Sequence, residues 1–291
     1  MACYHPLGAW RGKLNDKAKR PVVFSSHEGA PGSALLIPCG RCLGCKLERA
    51  RQWALRAMHE SKLHRDNSFV TVTYDDGSLP AGGSLRLRDH QLFLKRLRER
   101  LDFPVRFMMC GEYGETTFRP HYHYLLFGYY PGDARLYSKS GGNPVYTSEF
   151  LDDIWGFGSV KVGAVTFDSA GYVARYTMKK LGDNKLSQVY DGLEPEFFLM
   201  SRRPGIGSDW AKLFYREWYQ GDYSVVNGRK VKPPKYYDSL VEKLSPSTLH
   251  SVKECRKSAR SQDEIDSDYS RGYVREEVKR SAVSTLSRKA L

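Results

Sequence analysis

The order of hydrophobic periodicities between residues 46 and 182 is the feature that most constrains the fold. Helices and strands are told apart here because their side chains repeat about every 3.6 and every 2 residues. The pattern predicts helices Lys46–His64, Leu87–Leu101 and Ser169–Leu181, and strands Phe69–Tyr74, Val105–Cys110, His121–Phe127 and Ser159–Val165. The order helix, strand, helix, three strands, helix is typical of an α+β domain, an antiparallel sheet with helices on one face.

The sequence on either side of this region predicts three further parts. Residues 1–45 are rich in Pro and Gly and contain closely spaced Cys, so we expect an irregular, Cys-rich N-terminal segment. Residues 183–244 predict a C-terminal extension with a helix at Trp210–Tyr219 and a hairpin around Asn227 and Gly228. Residues 245–291 are polar and charged, and we expect a flexible or partner-bound tail.

A membrane or secreted location is not expected. The sequence has no run of about 18 apolar residues, and its first residues lack the apolar core of a secretory signal. We therefore expect a soluble, intracellular protein.

The charge balance points to nucleic acid as a partner. Lys and Arg number 46 against 33 Asp and Glu, which gives a net charge of +13, and the chain contains 19 Tyr. A positive field steers polyanions, and aromatic rings stack on bases. The alternative for each basic cluster is a solvated surface. The residues considered for DNA binding are Arg175, Lys180, Arg202 and Arg203, with Trp210, Tyr215 and Tyr219 available for stacking.

Two histidines and a glutamate form a candidate metal site. His121 and His123 are two residues apart in a predicted strand, so both imidazoles project from one face and Tyr122 from the other. A hairpin return would bring Glu112 beside them, with Glu115 as the substitute ligand. Two His and one carboxylate leave coordination positions open for a phosphate oxygen and water, as catalysis requires. For the histidine pair alone, simple packing in the strand is the alternative.

Two tyrosines form a candidate nucleophile pair. Tyr172 and Tyr176 are four residues apart on a predicted helix, so their phenols share one face, which Lys179 extends. A phenol with a pKa of about 10 needs a metal or a nearby cation before it attacks phosphorus, and Lys179 supplies such a cation. Packing of both tyrosines with Val173 as amphipathic core is the alternative for an isolated pair.

The cysteine spacing suggests a second metal. Cys39, Cys42 and Cys45 follow a pattern that lets thiolates converge on zinc, and it is too compact for a secreted disulfide framework. Cys3 is our choice for the fourth ligand and His5 is the other candidate. Reduced cysteines without a metal are the alternative reading.

These residues carry a resemblance to a known family. Residues 119–128, RPHYHYLLFG, resemble the HUH motif of HUH endonucleases, in which two His flank a bulky residue. Phe69–Tyr74 resembles the first strand motif of viral replication initiators, and Gly111 with Glu112 resembles the acidic ligand motif. Residues 172–180, YVARYTMKK, are similar to the two-tyrosine motif of microvirus initiators.

The resemblance spans residues 69–180 and keeps the order of the family's motifs. PCGRCLGC and MSRRPGIG further resemble the initiators of gokushovirus-type microviruses, which are small single-stranded DNA phages. Tyr122 stands where many relatives have an aliphatic residue, a conservative change on the buried face. The resemblance implies an HUH nicking domain at residues 46–182 with an RRM or ferredoxin-like core.

The same resemblance implies an activity. A Tyr would nick the replication origin, take the 5′ phosphate and leave a 3′ hydroxyl, and the second Tyr would later help to close a single-stranded circle without ATP. The spacing does not say which Tyr acts first, although Tyr176, three residues before Lys179, is favoured. The cofactor would be Mg²⁺ or Mn²⁺, beside a structural Zn²⁺; an iron–sulfur cluster uses similar cysteine spacing, but nicking chemistry does not call for one.

The implied partners are the single-stranded viral DNA, the origin of the duplex replicative form, and the host helicase and polymerase, in the bacterial host cytoplasm. Two alternatives stay open. A plasmid or transposon nickase would use the same site. A non-catalytic, zinc-bearing nucleic-acid-binding protein would carry these Tyr and His as structural residues.

Overall fold

The computed structural model describes residues 3–15, 20–114, 117–140, 143–179, 190, 192–226, 228–258 and 271–286. The chain divides into two compact units, one formed by residues 1–48 with 260–290 and the other by residues 49–259. The expected boundary after residue 45 thus falls after residue 48, and the expected extension at 183–244 groups with the sheet.

An antiparallel sheet is the framework of the second unit. The described strands of this sheet are β4 (Asn67–Tyr74), β5 (Arg106–Tyr113), β6 (Pro120–Phe127), β7 (Arg135–Ser140), β8 (Asn143–Thr147), β9 (Gly158–Gly163) and β10 (Phe197–Met200). They form a seven-stranded sheet in the order β10-β5-β6-β4-β9-β8-β7, and every neighbouring pair is antiparallel. The α+β class and the antiparallel sheet expected from the sequence are confirmed.

Helices cover both faces of this sheet rather than one. The described helices are α1 (Leu43–Ser61), α2 (Leu87–Arg100), α3 (Glu149–Trp155), α4 (Phe167–Lys179), α5 (Ser208–Gly221), α6 (Lys235–Leu244), α7 (Pro246–Ser258) and α8 (Gly272–Leu286). Phe93 of α2 and Trp155 of α3 pack with Tyr122 and Tyr124 on one face. Both faces need a cover because β5 and β6 are buried at almost every position, whichever way the side chain points.

The second face carries the small side chains of α1 and α4. Ala54 and Ala57 of α1, with Ala170 and Ala174 of α4, pack with apolar residues of β5 and β6, Leu125 among them. Because alanine has a short side chain, these helices approach the sheet closely. This face is the one from which His121 and His123 project, since they share the alternation of Leu125.

A third core joins the helices that follow the sheet. Trp218 of α5, Tyr237 of α6 and Leu249 of α7 are buried together. The expectation of a flexible tail from residue 245 is wrong for α7, because Leu249 and Val252 both point into this core. The hairpin expected around residue 228 is present as β11 (Ser224–Val226) and β12 (Arg229–Val231); Gly228 has a φ of +73°, which favours glycine, and Asn227 lies outside the described residues.

The same core corrects the expected stacking residues. Trp210 stacks on the buried His59, with ring centroids 3.5 Å apart, and Tyr219 is itself buried. Neither ring is therefore presented to a nucleic-acid base.

The first unit contains a small sheet where an irregular segment is expected. Strand β1 (Leu7–Gly12) pairs antiparallel with β2 (Val22–Val23) and with β3 (Gly29–Ile37). The expectation is wrong because backbone pairing, rather than apolar alternation, defines these strands: exposed positions outnumber buried ones in β1 and β3. Among the described residues no helix is both long and apolar enough to span a bilayer.

Buried histidine makes the second unit acid-sensitive. Burial, followed by the charge of Lys62, lowers the pKa of His59 from 6.5 to about 3. The unfolded chain therefore binds a proton that the fold rejects, so stability falls as the pH drops from 6.5 towards 3. Between pH 7 and pH 5 we expect His59 to account for about 2 kcal/mol of lost unfolding free energy.

Urea denaturation of wild type and His59→Gln at both pH values measures this difference. The substitution is expected to remove about 2 kcal/mol of the acid-induced loss, whereas His250→Gln, at an exposed position of α7, is expected to leave the loss unchanged. An equal pH dependence in all three proteins would contradict the assignment.

Candidate active site

Strand pairing places the predicted ligands together. In the antiparallel pair β5 and β6, Glu112 lies opposite His121 and Cys110 lies opposite His123. Side chains of paired residues leave the sheet on the same face, and diagonal neighbours remain within reach of long side chains. The carboxylate of Glu112 uses this diagonal, because its Oε1 lies 2.6 Å from Nε2 of His123. Both side chains are almost fully buried.

His123 is held in place from the neighbouring strand. Oγ1 of Thr71, on β4, lies 2.8 Å from Nδ1 of His123, and the Phe69 ring stacks on the imidazole at 5.8 Å with an interplanar angle of 9°. The contact to Nδ1 directs Nε2 towards Glu112. The strand alternation at residues 69–74 could have placed Thr71 on this face, but its contact with His123 depends on the pairing of β4 with β6, so it was missed from the sequence.

His121 completes the set with a looser geometry. Its ring lies 6.3 Å from that of His123, and the two planes differ by 13°. Its Nδ1 is buried and has no hydrogen-bond partner within the described part of the chain. Burial, followed by the charge of His123, lowers the pKa of His121, so the neutral, metal-ligating form is favoured. The donor chemistry fits a divalent cation, although these three residues are more spread out than the cysteine cluster described below.

Helix α4 brings a phenol onto these residues. The hydroxyl of Tyr172 donates a hydrogen bond to Oε1 of Glu112 at 2.5 Å, and its ring lies edge-on to His123 at 5.0 Å. Burial, followed by the negative charge of Glu112, raises the pKa of Tyr172 well above its ordinary value. The phenol is therefore protonated here. The Arg175 guanidinium lies 5.7 Å from the centre of the Tyr172 ring.

Several predicted residues stand apart from this cluster. Arg202 and Arg203 are exposed and follow β10. Because Met200 pairs with Met108 near the start of β5, they lie at the opposite end of that strand from Glu112. The backbone of α4 includes Tyr176 and Lys179, but their side chains, together with Lys180 and Glu115, lie outside the described residues.

The four predicted cysteines come together in the first unit. The Sγ atoms of Cys3, Cys39, Cys42 and Cys45 all lie within 4.8 Å of one another, and this is the tight group of metal-ligating side chains found among the described residues. Burial raises the pKa of the Cys39 thiol, but backbone N–H groups of Cys42 and Arg41 outweigh it and lower the pKa to about 7. His5, the other candidate ligand, instead places Nε2 2.6 Å from Oε2 of Glu276.

Comparison with known proteins agrees with this arrangement. The family model of the replication-associated protein ORF2 matches residues 67–181, the range that holds all of the residues at the sheet and α4. The replication-associated protein VP4 of Bdellovibrio phage phiMH2K is 37% identical over 258 residues, 84% of this chain and 79% of that protein. No solved structure matches the chain.

Two further phage proteins are similar over much of the chain. The replication-associated protein ORF2 of Spiroplasma virus 4 is 32% identical over 269 residues, 84% of this chain and 81% of that protein. The replication-associated protein ORF4 of Chlamydia phage 1 is 31% identical over 221 residues, 72% of this chain and 54% of that protein.

Fold, site and matches together define a phage replication-associated protein. More narrowly, the chain belongs to the replication-associated protein ORF2 family, and its predicted likeness to the gokushovirus-type proteins is confirmed.

The contact between Tyr172 and Glu112 is expected to contribute to stability when no metal is present. Tyr172→Phe removes a donor from a buried carboxylate, so the free energy of unfolding should fall by about 1–3 kcal/mol. Urea denaturation in EDTA measures the change. The matched control is Tyr137→Phe on β7, an exposed tyrosine, which should change stability by less than about 0.5 kcal/mol. Equal stability of Tyr172→Phe and wild type would contradict the contact.

Proposed function

We propose that this protein nicks one DNA strand at a replication origin and later rejoins it, initiating and terminating rolling-circle replication of a single-stranded DNA phage. The observation that carries the proposal is the pair of contacts made by Oε1 of Glu112, to the hydroxyl of Tyr172 and to Nε2 of His123. A candidate nucleophile and candidate metal ligands from the sheet thus meet at one atom.

His121, His123 and Glu112 are the residues that would hold Mg²⁺ or Mn²⁺. With histidine ligands, Mn²⁺ should serve at least as well as Mg²⁺. When bound, the cation polarises a phosphate oxygen and offsets the negative charge of Glu112. Two observations support this assignment. Among the described residues Nδ1 of His121 finds no hydrogen-bond partner, and the ring of His123 is already fixed in orientation by Thr71.

Tyr172 is the nucleophile that the described geometry favours for the first cleavage, whereas the spacing to Lys179 favours Tyr176. Oη of Tyr172 attacks the phosphorus of the scissile phosphodiester, and the bond from phosphorus to the 3′ oxygen breaks as the new bond to the tyrosine forms. The phenol proton leaves along its hydrogen bond to Glu112, and the departing 3′ oxygen gains a proton. One phosphodiester replaces another, so no ATP is consumed.

The second tyrosine supports the closing step. Tyr176 is four residues after Tyr172, so the two positions share one face of α4. After one round of synthesis, the remaining tyrosine attacks the regenerated origin. The 3′ hydroxyl released by that cleavage then attacks the first phosphotyrosine, which frees that tyrosine and closes a circle. Lys179 is the proposed cation that stabilises the phenolate.

The net charge and the relatives support the biological setting. A net charge of +13 favours a DNA partner, and the similar proteins are replication-associated proteins of phages. We assign Arg175 and Lys180 to DNA contacts near the tyrosines, and Arg202 and Arg203 to DNA contacts at the other end of β5. The nicked strand exposes a 3′ hydroxyl that a host polymerase extends and a host helicase unwinds, in the cytoplasm of the bacterial host.

A covalent adduct is the direct product of this chemistry. We expect a 3′-labelled oligonucleotide from the phage genome to become attached to the protein in Mn²⁺ and to migrate with it on a denaturing gel. Tyr172→Phe should reduce first-round adduct formation by at least about 100-fold, while Tyr137→Phe should not change it. EDTA should abolish the adduct in all of these proteins.

Two outcomes would contradict the proposal. An undiminished adduct from a Tyr172→Phe, Tyr176→Phe double variant would remove the tyrosine mechanism. Binding of tiled origin-region oligonucleotides without any adduct in Mn²⁺ would favour the non-catalytic, nucleic-acid-binding alternative.

Thr71 is expected to tune metal affinity through His123. Thr71→Val keeps the shape of the side chain but removes the contact to Nδ1, so Mn²⁺ should bind about 10–100-fold more weakly. Thr71→Ser restores a hydroxyl and should recover most of the affinity. Electron paramagnetic resonance of free Mn²⁺ during titration measures both. Equal affinities for the Val and Ser variants would show that this contact does not orient the ligand.

A further inference from the structure

The cysteine cluster of the first unit has the dimensions of a zinc site. Four thiolates placed about 2.3 Å from one zinc ion lie about 3.8 Å from one another at the corners of a tetrahedron. Sγ of Cys3 lies 3.6 Å from Sγ of Cys39 and 3.9 Å from Sγ of Cys42. Cys45 belongs to the same group, in which no two sulfur atoms are more than 4.8 Å apart.

Backbone amides already face the sulfur atoms. The N–H of Tyr4 donates to Sγ of Cys42 at 3.4 Å, the N–H of Cys39 to Sγ of Cys3 at 3.3 Å, and the N–H of Cys42 to Sγ of Cys39 at 3.3 Å. Such donors stabilise negative charge on sulfur, which a metal-bound thiolate carries. A cluster of neutral thiols would have no need for three of them.

Disulfide bonding does not account for the cluster. All four cysteines are free, and a disulfide requires two sulfur atoms about 2.05 Å apart. Two disulfides would also have to form from four sulfur atoms that are placed almost evenly around one point. A single central ion uses all four equally.

The cluster lies where three segments of the first unit meet. Cys42 and Cys45 flank the first residues of α1, and the backbone N–H of Leu43 donates to Oε1 of Glu276 on α8 at 2.8 Å. Oε2 of the same carboxylate lies 2.6 Å from Nε2 of His5. At Gly272 an added Cβ would overlap the carbonyl oxygen of Tyr4, so α8 begins directly against the segment that follows Cys3.

We propose that Cys3, Cys39, Cys42 and Cys45 bind one structural Zn²⁺ that fastens the N-terminal segment to the start of α1 and thereby holds the surface on which α8 packs. All four protein ligands are sulfur, so the coordination sphere is closed and leaves no position for substrate. The site is chemically distinct from the His and Glu set, which leaves positions open and prefers Mg²⁺ or Mn²⁺.

Metal analysis of the full-length protein, purified without chelators, tests the proposal. We expect about one zinc per chain by elemental mass spectrometry, and no zinc in Cys42→Ser. The matched control is Cys255→Ser, at an exposed cysteine of α7, which should retain the metal. Replacing zinc by Co²⁺ should give the absorption of a tetrahedral site with thiolate charge transfer.

A second variant separates loss of the metal from loss of the fold. Cys39→His offers a nitrogen ligand at the same position, so it should still bind Co²⁺ with a shifted spectrum. Removing zinc from the wild type should make α8 accessible to limited proteolysis, and adding zinc back should restore protection. Metal-free wild type with protected α8, an iron–sulfur spectrum in place of zinc, or full zinc content in Cys42→Ser would each overturn the proposal.

Discussion

The structure of the site depends on the pairing of β5 with β6. A strand exposes alternate side chains on each face, so this pairing alone decides that Glu112, His121 and His123 emerge on the side of the sheet covered by α1 and α4. A shift of one residue in either strand would move its ligands to the other face, into the core that contains Tyr122 and Trp155. The buried, fully paired centre of the sheet makes such a shift costly.

The alanine-rich faces of α1 and α4 extend this constraint to the nucleophile. Ala170, Val173 and Ala174 rest on the sheet and fix the rotation and height of α4, which leaves the phenol of Tyr172 directed at Glu112. The resulting site is costly to bury, because a carboxylate and two imidazoles occupy a largely apolar face. Contacts from Thr71 and Tyr172 reduce that cost, and a bound cation would reduce it further.

Much of this could be read from the sequence, for identifiable reasons. The alternation in residues 69–74 and 121–127 and the helical spacing around Tyr172 are local signals, and they predicted the strands, the helix and the facing ligands. The contact of Thr71 with His123 could not be read in this way, since it depends on which strand pairs with β6. Strand β10 is four residues long and its place beside β5 is likewise decided by tertiary pairing. The small N-terminal sheet was missed because its Gly- and Pro-rich strands lack a buried face.

A crystal soaked in Mn²⁺ and measured at the manganese absorption edge tests the central claim most directly. The account predicts one anomalous peak within bonding distance of His121, His123 and Glu112, on the side of the sheet that faces Tyr172. A peak at another place, or none at these three residues when Mn²⁺ is saturating, would contradict the idea that strand pairing has built a metal site beneath the tyrosine helix.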